Sequence, residues 1–178
     1  HRGIDVDFIL DLSKRLKVSG MASIGDWKWK NDVEAEYANQ DRSEITQVNI
    51  YADGTHVGDA PQTSFSLSAD YRLTNNMDLG VSFLHFDRIF ARFDPIGRTN
   101  PNDRTDSWQL PSYQLVDLYF GYRFNIGSLD ARASLNVYNL LDKEYITDAL
   151  DGADHSSAAA RVFYGFGRTA TGGLIIYF

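Results

Sequence analysis

From Ser64 to Leu73 the chain alternates polar and apolar residues without a fault. Phe65, Leu67, Ala69, Tyr71 and Leu73 fall on one face, and Ser64, Ser66, Ser68, Asp70 and Arg72 on the other. A period of two predicts a strand with one greasy side. Six further stretches follow the same rule. Near the start, Ile4, Val6, Phe8, Leu10 and Leu12 oppose Asp5, Asp7 and Asp11; then Leu16, Val18, Gly20, Ala22 and Ile24 oppose Lys17, Ser19 and Ser23. Met77, Leu79, Val81 and Phe83 oppose Asp78, Gly80 and Ser82. Val116, Leu118, Phe120, Tyr122 and Phe124 oppose Asp117, Tyr119, Gly121 and Arg123, with Leu115 as an apolar exception. Leu129, Ala131, Ala133, Leu135 and Val137 oppose Asp130, Arg132, Ser134 and Asn136, and Leu174, Ile176 and Phe178 oppose Gly173, Ile175 and Tyr177. Within these seven strands no charge falls on the apolar face.

Alternation alone does not choose between a protein core and lipid, because a soluble sandwich shows it too. The connections decide. Three are tight turns, at Ser13 to Arg15, Thr74 to Asn76 and Asn125 to Ser128. The other three, near 31–60, 94–112 and 147–165, far exceed the usual loop of about 4 to 6 residues. Short and long alternate strictly, as in outer-membrane barrels with short periplasmic turns and long extracellular loops. A lipid-facing side also explains the missing charges, since Lys or Arg near mid-membrane costs about 2 to 4 kcal/mol. The expected fold is an all-β, antiparallel up-and-down transmembrane β-barrel. Trp27, Trp29, Tyr177 and Phe178 are expected in aromatic girdles, and the segment after Val137 is expected to continue as a polar stalk to a loop starting near Thr147. Seven strands do not close a bacterial barrel, so further strands are expected upstream, and the first strand descends from an extracellular His1.

Composition narrows the chemistry. There is no cysteine, which excludes disulfide scaffolds, thiol catalysis and Cys-rich zinc sites. A net charge of −7 and a pI near 4.9, with scattered Lys and Arg, exclude a nucleic-acid surface. No apolar run reaches the roughly 18 residues of a membrane helix, which leaves a barrel untouched. The chain opens within a strand pattern, so the lack of a signal peptide carries no information on location.

Four segments then resemble the C-terminal barrel of TonB-dependent outer-membrane transporters, in order along essentially the whole chain: GDAPQTSFSLSADYRL (58–73), LPSYQLVDLYFGYRF (110–124), LDARASLNVYNLLDKEY (129–145) and FGRTATGGLIIYF (166–178). The Asn-Leu-hydrophobic-Asp-Lys-x-Tyr segment at Asn139 to Tyr145, and the Gly-Arg-Thr leading to a terminal Phe, match the family most specifically. The resemblance implies that residues 1–178 are the C-terminal part of a transmembrane barrel, about the last seven of 22 strands. Its N-terminal plug and earlier strands would lie upstream. It further implies active import of a scarce nutrient (siderophore, cobalamin, oligosaccharide or peptide) across the Gram-negative cell outer membrane, with energy relayed by the TonB complex. Phe178 resembles the signal read by the barrel-assembly machinery, and some members work with a surface lipoprotein.

Within that frame, Asp70, Arg72, Asp117, Arg123, Arg132, Asn136 and Tyr138 are the lumen-facing candidates for contact with the plug. Trp108, Phe93 and Phe163 in the outer loops are the candidates for ligand contact. Asp148, Asp151, Asp154 and His155 have hard donors at short spacing but lack an EF-hand pattern, so a solvated polar loop is expected rather than a metal site. His85 and Asp87 are expected near the outer interface, and His56 beside the Asp53-Gly54 turn. No catalytic set and no cofactor motif is legible. A passive porin or adhesin barrel, and a soluble carbohydrate-binding β module, are the competing readings.

Overall fold

The computed structural model describes residues 1–178 and contains eleven strands with a single short 3-10 turn, Pro95–Gly97. Seven strands form one antiparallel sheet: β1 (Arg2–Asp11), β2 (Leu16–Asp26), β5 (Thr63–Arg72), β6 (Met77–Asp87), β7 (Tyr113–Ile126), β8 (Leu129–Tyr138) and β11 (Thr169–Tyr177), adjacent in that order. These are the seven strands read from alternation. Two hairpins stand outside the sheet, β3 (Val33–Ala38) with β4 (Ile45–Ile50) and β9 (Ile146–Leu150) with β10 (Arg161–Tyr164). Both lie in long connections at the same end.

The register keeps one face apolar across all seven strands. Leu10, Val18, Ala69, Val81, Leu118, Val137 and Ala170 pair successively from β1 to β11, and the neighbouring row runs from Asp11 through Lys17 and Asp70 to Gly80 and Tyr119. On β2 the apolar row runs from Leu16 to Ile24, eight residues further on. At about 3.4 Å per residue and a tilt of about 40°, that span is about 21 Å high, close to the roughly 25 Å apolar band of an outer-membrane barrel. Above it the same face turns polar at Asp26, Thr63, His85, Asp87 and Gln114, and Gln114 Nε2 lies 3.0 Å from His85 Nδ1.

The turns at the lower end are built locally. Ser13 Oγ accepts from the amides of Arg15 and Leu16, and Thr74 Oγ1 from those of Asn76 and Met77, hydroxyl turns that replace the missing ladder bonds. Between β7 and β8 the chain reverses through Gly127 at φ 62°, where a side chain would be strained.

No second layer covers the sheet. A folded soluble monomer of 20.1 kDa exposes about 8,700 Å², and this chain exposes 11776 Å². Apolar side chains are exposed both on the edge strands, where Ile4 is 73% and Leu174 58% exposed, and within the sheet, where Val81 is 42% and Leu135 43% exposed. The main buried apolar cluster, Ile89, Ala91, Leu110, Tyr113 and Ala149, sits instead where the loops meet the top of the sheet. The sheet is open at both edges, β1 and β11.

Candidate functional site

The polar face carries all seven residues assigned to it by alternation, and five of them bond to other residues of the sheet or the turn above it. Arg123 Nη2 lies 2.7 Å from Asp78 Oδ2, with Arg72 Nε 4.0 Å from the other oxygen of Asp78. Arg132 donates to the phenol of Tyr119, whose ring lies over Gly121, where a Cβ would sit 2.5 Å from the phenol oxygen. Asn136 Nδ2 reaches Thr171 Oγ1 at 3.4 Å, Asp70 is exposed beside Gly80, and Tyr138 is 47% exposed.

Asp117 has a different task. Its Oδ1 accepts the amide of Asn139 at 2.8 Å, at the head of a turn rather than along a stalk. β8 stops at Tyr138; Asn139 at φ 49° and Asp142 at φ 54° reverse the chain. Asn139 Oδ1 accepts from Lys143 N, and its Nδ2 donates to Lys143 O and Phe166 O at 2.8, 2.9 and 3.1 Å. Asp142 Oδ1 then accepts the amide of Arg168 at 2.7 Å, just before β11. The expected polar stalk is thus a clamp between the top of β8 and the approach to β11. Asn tolerates the left-handed region and its amide satisfies three backbone groups at once.

The loops are knitted by strand-like bonds outside the sheet: Ala91 N to Trp108 O, Leu110 N to Ile89 O, Arg92 N to Ala149 O and Asp151 N to Arg92 O, each 2.8 Å. Gln62, fully buried, accepts from Trp27 N and donates to Trp27 O, fixing the chain beyond β2. Within this assembly a cleft of about 410 Å³ is walled by Trp29, Val33, Ile50, Val57, Phe93 and Pro95, with Arg92 and Asp59 also lining it. Trp29 meets Phe93 edge-on, with centroids 6.1 Å apart. The guanidinium of Arg98 lies 5.0 Å from the centre of the Phe93 ring. Burial raises the Asp59 pKa, and a shared hydrogen bond and repulsion with Asp148 raise it further against the opposing charge of Arg92, 3.6 Å away.

Of the three loop aromatics singled out in the sequence, Phe93 enters this cleft. Trp108 packs on the buried cluster while its amide donates to Asp151 Oδ1 at 3.0 Å, and Phe163 lies on β10, 45% exposed. Trp29 was expected in a girdle. It belongs to the cleft, and Trp27 lies on the polar face, with its indole over the Cα of Gly25. Running the β2 alternation past Asp26 puts both tryptophans in the phase of Ser23, the signal that distinguishes them from girdle residues.

The loop 148–155 is not solvated as expected. The side chains of Asp151 and Arg98 are 2% exposed and 3.6 Å apart. Arg98 Nη1 donates to Thr105 O at 2.7 Å and Nη2 to Ser107 Oγ at 3.2 Å. His155 stands between Asp151 and Asp103, whereas Asp154 caps Ser156 and Asp148 turns to Asp59. The four donors do not converge on one point. His56 stacks on Phe90 at 4.3 Å and pairs with Asp106 at 2.8 Å.

A meandering antiparallel sheet with an uncovered apolar face, a polar face on which Asp78 holds Arg72 and Arg123, tight turns at one end and folded loops at the other is the wall of a large transmembrane β-barrel. The chain belongs to the TonB-dependent receptor-like β-barrel family, whose sequence model matches residues 1–140. A probable TonB-dependent receptor of Bordetella pertussis, BfrD, is 30% identical over 94 residues, covering 53% of this chain and 12% of that protein. Among solved structures, the siderophore receptor PiuA of Acinetobacter baumannii superposes over 98% of this chain and 21% of its own, with TM-score 0.64 and 19% identity. The FpvAI chain of a complex with pyocin S2 superposes over 97% of this chain and 19% of its own, with TM-score 0.55 and 19% identity. At that identity the two structures speak for the fold alone. The chain spans between 12% and 21% of the length of these proteins.

Proposed function

We propose that this chain is part of an outer-membrane active transporter that imports a scarce nutrient with energy relayed by TonB. The supporting observation is the aromatic cleft of Trp29 and Phe93, set in the loops at the end opposite the tight turns, in a member of the TonB-dependent receptor family. On this reading the seven strands are the last of a 22-stranded barrel in the Gram-negative outer membrane. The two open edges pair with the remaining strands, the polar face meets an N-terminal plug, and Phe178 serves the barrel-assembly machinery. The cleft holds a ring of the ligand, whether siderophore, cobalamin, aromatic peptide or stacked sugar, and Phe163 and a surface lipoprotein are further contacts at the mouth.

Uptake of labelled ferric siderophores, cobalamin, oligosaccharides and peptides by cells expressing the full receptor, with and without tonB, tests the reading. One ligand class is expected to accumulate only when tonB is present. Trp29→Ala or Phe93→Ala should weaken its binding about 3- to 10-fold, the worth of one aromatic contact. High-affinity uptake that persists without tonB refutes active import and leaves the passive barrel.

A further inference from the structure

The connection between β6 and β7, residues 88–112, carries Phe93, Arg98 and Asp103 and is fastened to its neighbours by two kinds of bond. On one side Arg104 pairs with Asp32, at the base of the β3–β4 hairpin, and Asp32 Oδ1 also accepts the amides of Ala52 and Asp53. The Arg104 guanidinium and these amides hold the Asp32 carboxyl far below the usual range. This anchor does not titrate near neutrality.

The other side is different. His155, at φ 55° in the β9–β10 loop, presents Nδ1 to Asp151 Oδ2 and Nε2 to Asp103 Oδ2, the latter at 2.9 Å. A neutral imidazole has one N–H. It can donate to one carboxylate, and then turns a lone pair toward the other, which repels it. Two carboxylates on opposite ring nitrogens therefore require the imidazolium.

Charge balance makes the same demand. The groups around His155 are Asp103 and Arg98 from the β6–β7 connection and Asp151 and Asp154 from its own loop. Asp154 is exposed, whereas the side chains of Arg98 and Asp151 are 2%, and those of His155 and Asp103 12% and 24%, exposed. Arg98, Asp103, Asp151 and a charged His155 sum to zero. With a neutral ring the set carries one uncompensated negative charge in a place mostly closed to water, which is costly.

We propose that the β6–β7 connection is held to the β9–β10 loop by a proton-dependent latch, closed when His155 is an imidazolium bridging Asp103 and Asp151 and released when it loses its proton. Burial opposes the charge on His155, but its bonds to Asp103 and Asp151 outweigh burial and lift its pKa above the ordinary histidine value. The latch is then fully formed below the unfolded histidine value and lost as pH rises through the folded one.

His56 also touches the β6–β7 connection, away from this latch. Its Nδ1 pairs with Asp106 at 2.8 Å and its Nε2 lies 3.4 Å from Asp26, which Lys28 and Arg88 also face at 3.8 and 3.9 Å. Because Arg98 backs the Phe93 ring, the latch also sets one wall of the aromatic cleft. That consequence rests on the functional reading above, whereas the latch itself does not.

Hydrogen exchange of the full-length receptor in detergent micelles tests it without any ligand. The reporter is the segment 98–112, whose Trp108 amide donates to Asp151. After correction for intrinsic exchange, its protection should be about tenfold or more lower at about pH 9 than at about pH 6, the loss of one hydrogen bond to an ionised group. His155→Asn, neutral and tolerant of a positive φ, should show the low protection at both pH values. Asp103→Asn should show the high protection at both, because a neutral ring can then donate to Asp151 and accept from the new amide. Equal wild-type protection at the two pH values overturns the latch. So does an unchanged pH dependence in Asp103→Asn, a variant whose readout stands even where His155→Asn fails to assemble.

Discussion

Asn139 is 3% exposed and sits in the left-handed region, and its amide serves Lys143 twice and Phe166 once. Truncation to Ala leaves an amide and two carbonyls unpaired in a closed turn and strains the backbone, at about 3 kcal/mol in total. Asn139→Ala is expected to lower the denaturant midpoint of the reconstituted receptor, and Asn139→Asp, which keeps the acceptor and tolerates the same φ, to lower it by less. An Ala variant as stable as wild type would remove the clamp from the account. This task was hidden from the sequence. The Asn and Asp in NLLDKEY give a turn signal, but Phe166, 27 residues on, can only be found in three dimensions. His155 and Asp103, 52 residues apart, were invisible for the same reason. Trp29 was legible in principle, because its phase on β2 separates it from the lipid-facing row.

At the scale of the element, adjacent positions on β5 face different solvents. Leu67 lies in the uncovered apolar row beside Gly20 and Phe83, and Ser66 on the opposite face, beside Met21 and Leu84. Leu67→Lys should therefore destabilise the folded receptor in lipid bilayers by about 2 to 4 kcal/mol, and Ser66→Lys by less than about 1 kcal/mol. Reversible denaturant titration in lipid vesicles measures both, and equal costs would mean that the two faces share one environment. The seven sheet strands were readable because each keeps one face in a uniform medium over most of its length. The hairpins were not. β4 breaks its alternation between Thr46 and Gln47, β10 has four residues, and both hairpins stand outside the sheet, where nothing imposes a single apolar side.

At the scale of the whole molecule, surface and core are inverted relative to a soluble domain. The large apolar side chains of the sheet are bare, and the packed cluster is displaced to the loop end, where Ile89, Leu110 and Tyr113 tie the connections to the strand tops. Folding here fixes the backbone of the sheet by ladder bonds and leaves the apolar face to a solvent other than water. The aromatic cleft and the histidine latch both sit above that band, in the only part of the chain with a protein-like interior.

The claim on which transport depends is that hydrocarbon bathes the face of Leu67, Phe120 and Ile176. No cysteine occurs in these 178 residues, so once any cysteine elsewhere in the receptor is replaced, single cysteines placed in turn from residue 64 to 71 of the bilayer-reconstituted protein can each carry one nitroxide. Accessibility to oxygen, which concentrates in lipid, is expected to peak at positions 65, 67, 69 and 71, and accessibility to a water-soluble nickel chelate at the positions between them. Labels at 65 to 71 that neither reagent reaches, or that both reach without alternation, would show that protein or water covers this face, and would contradict the barrel.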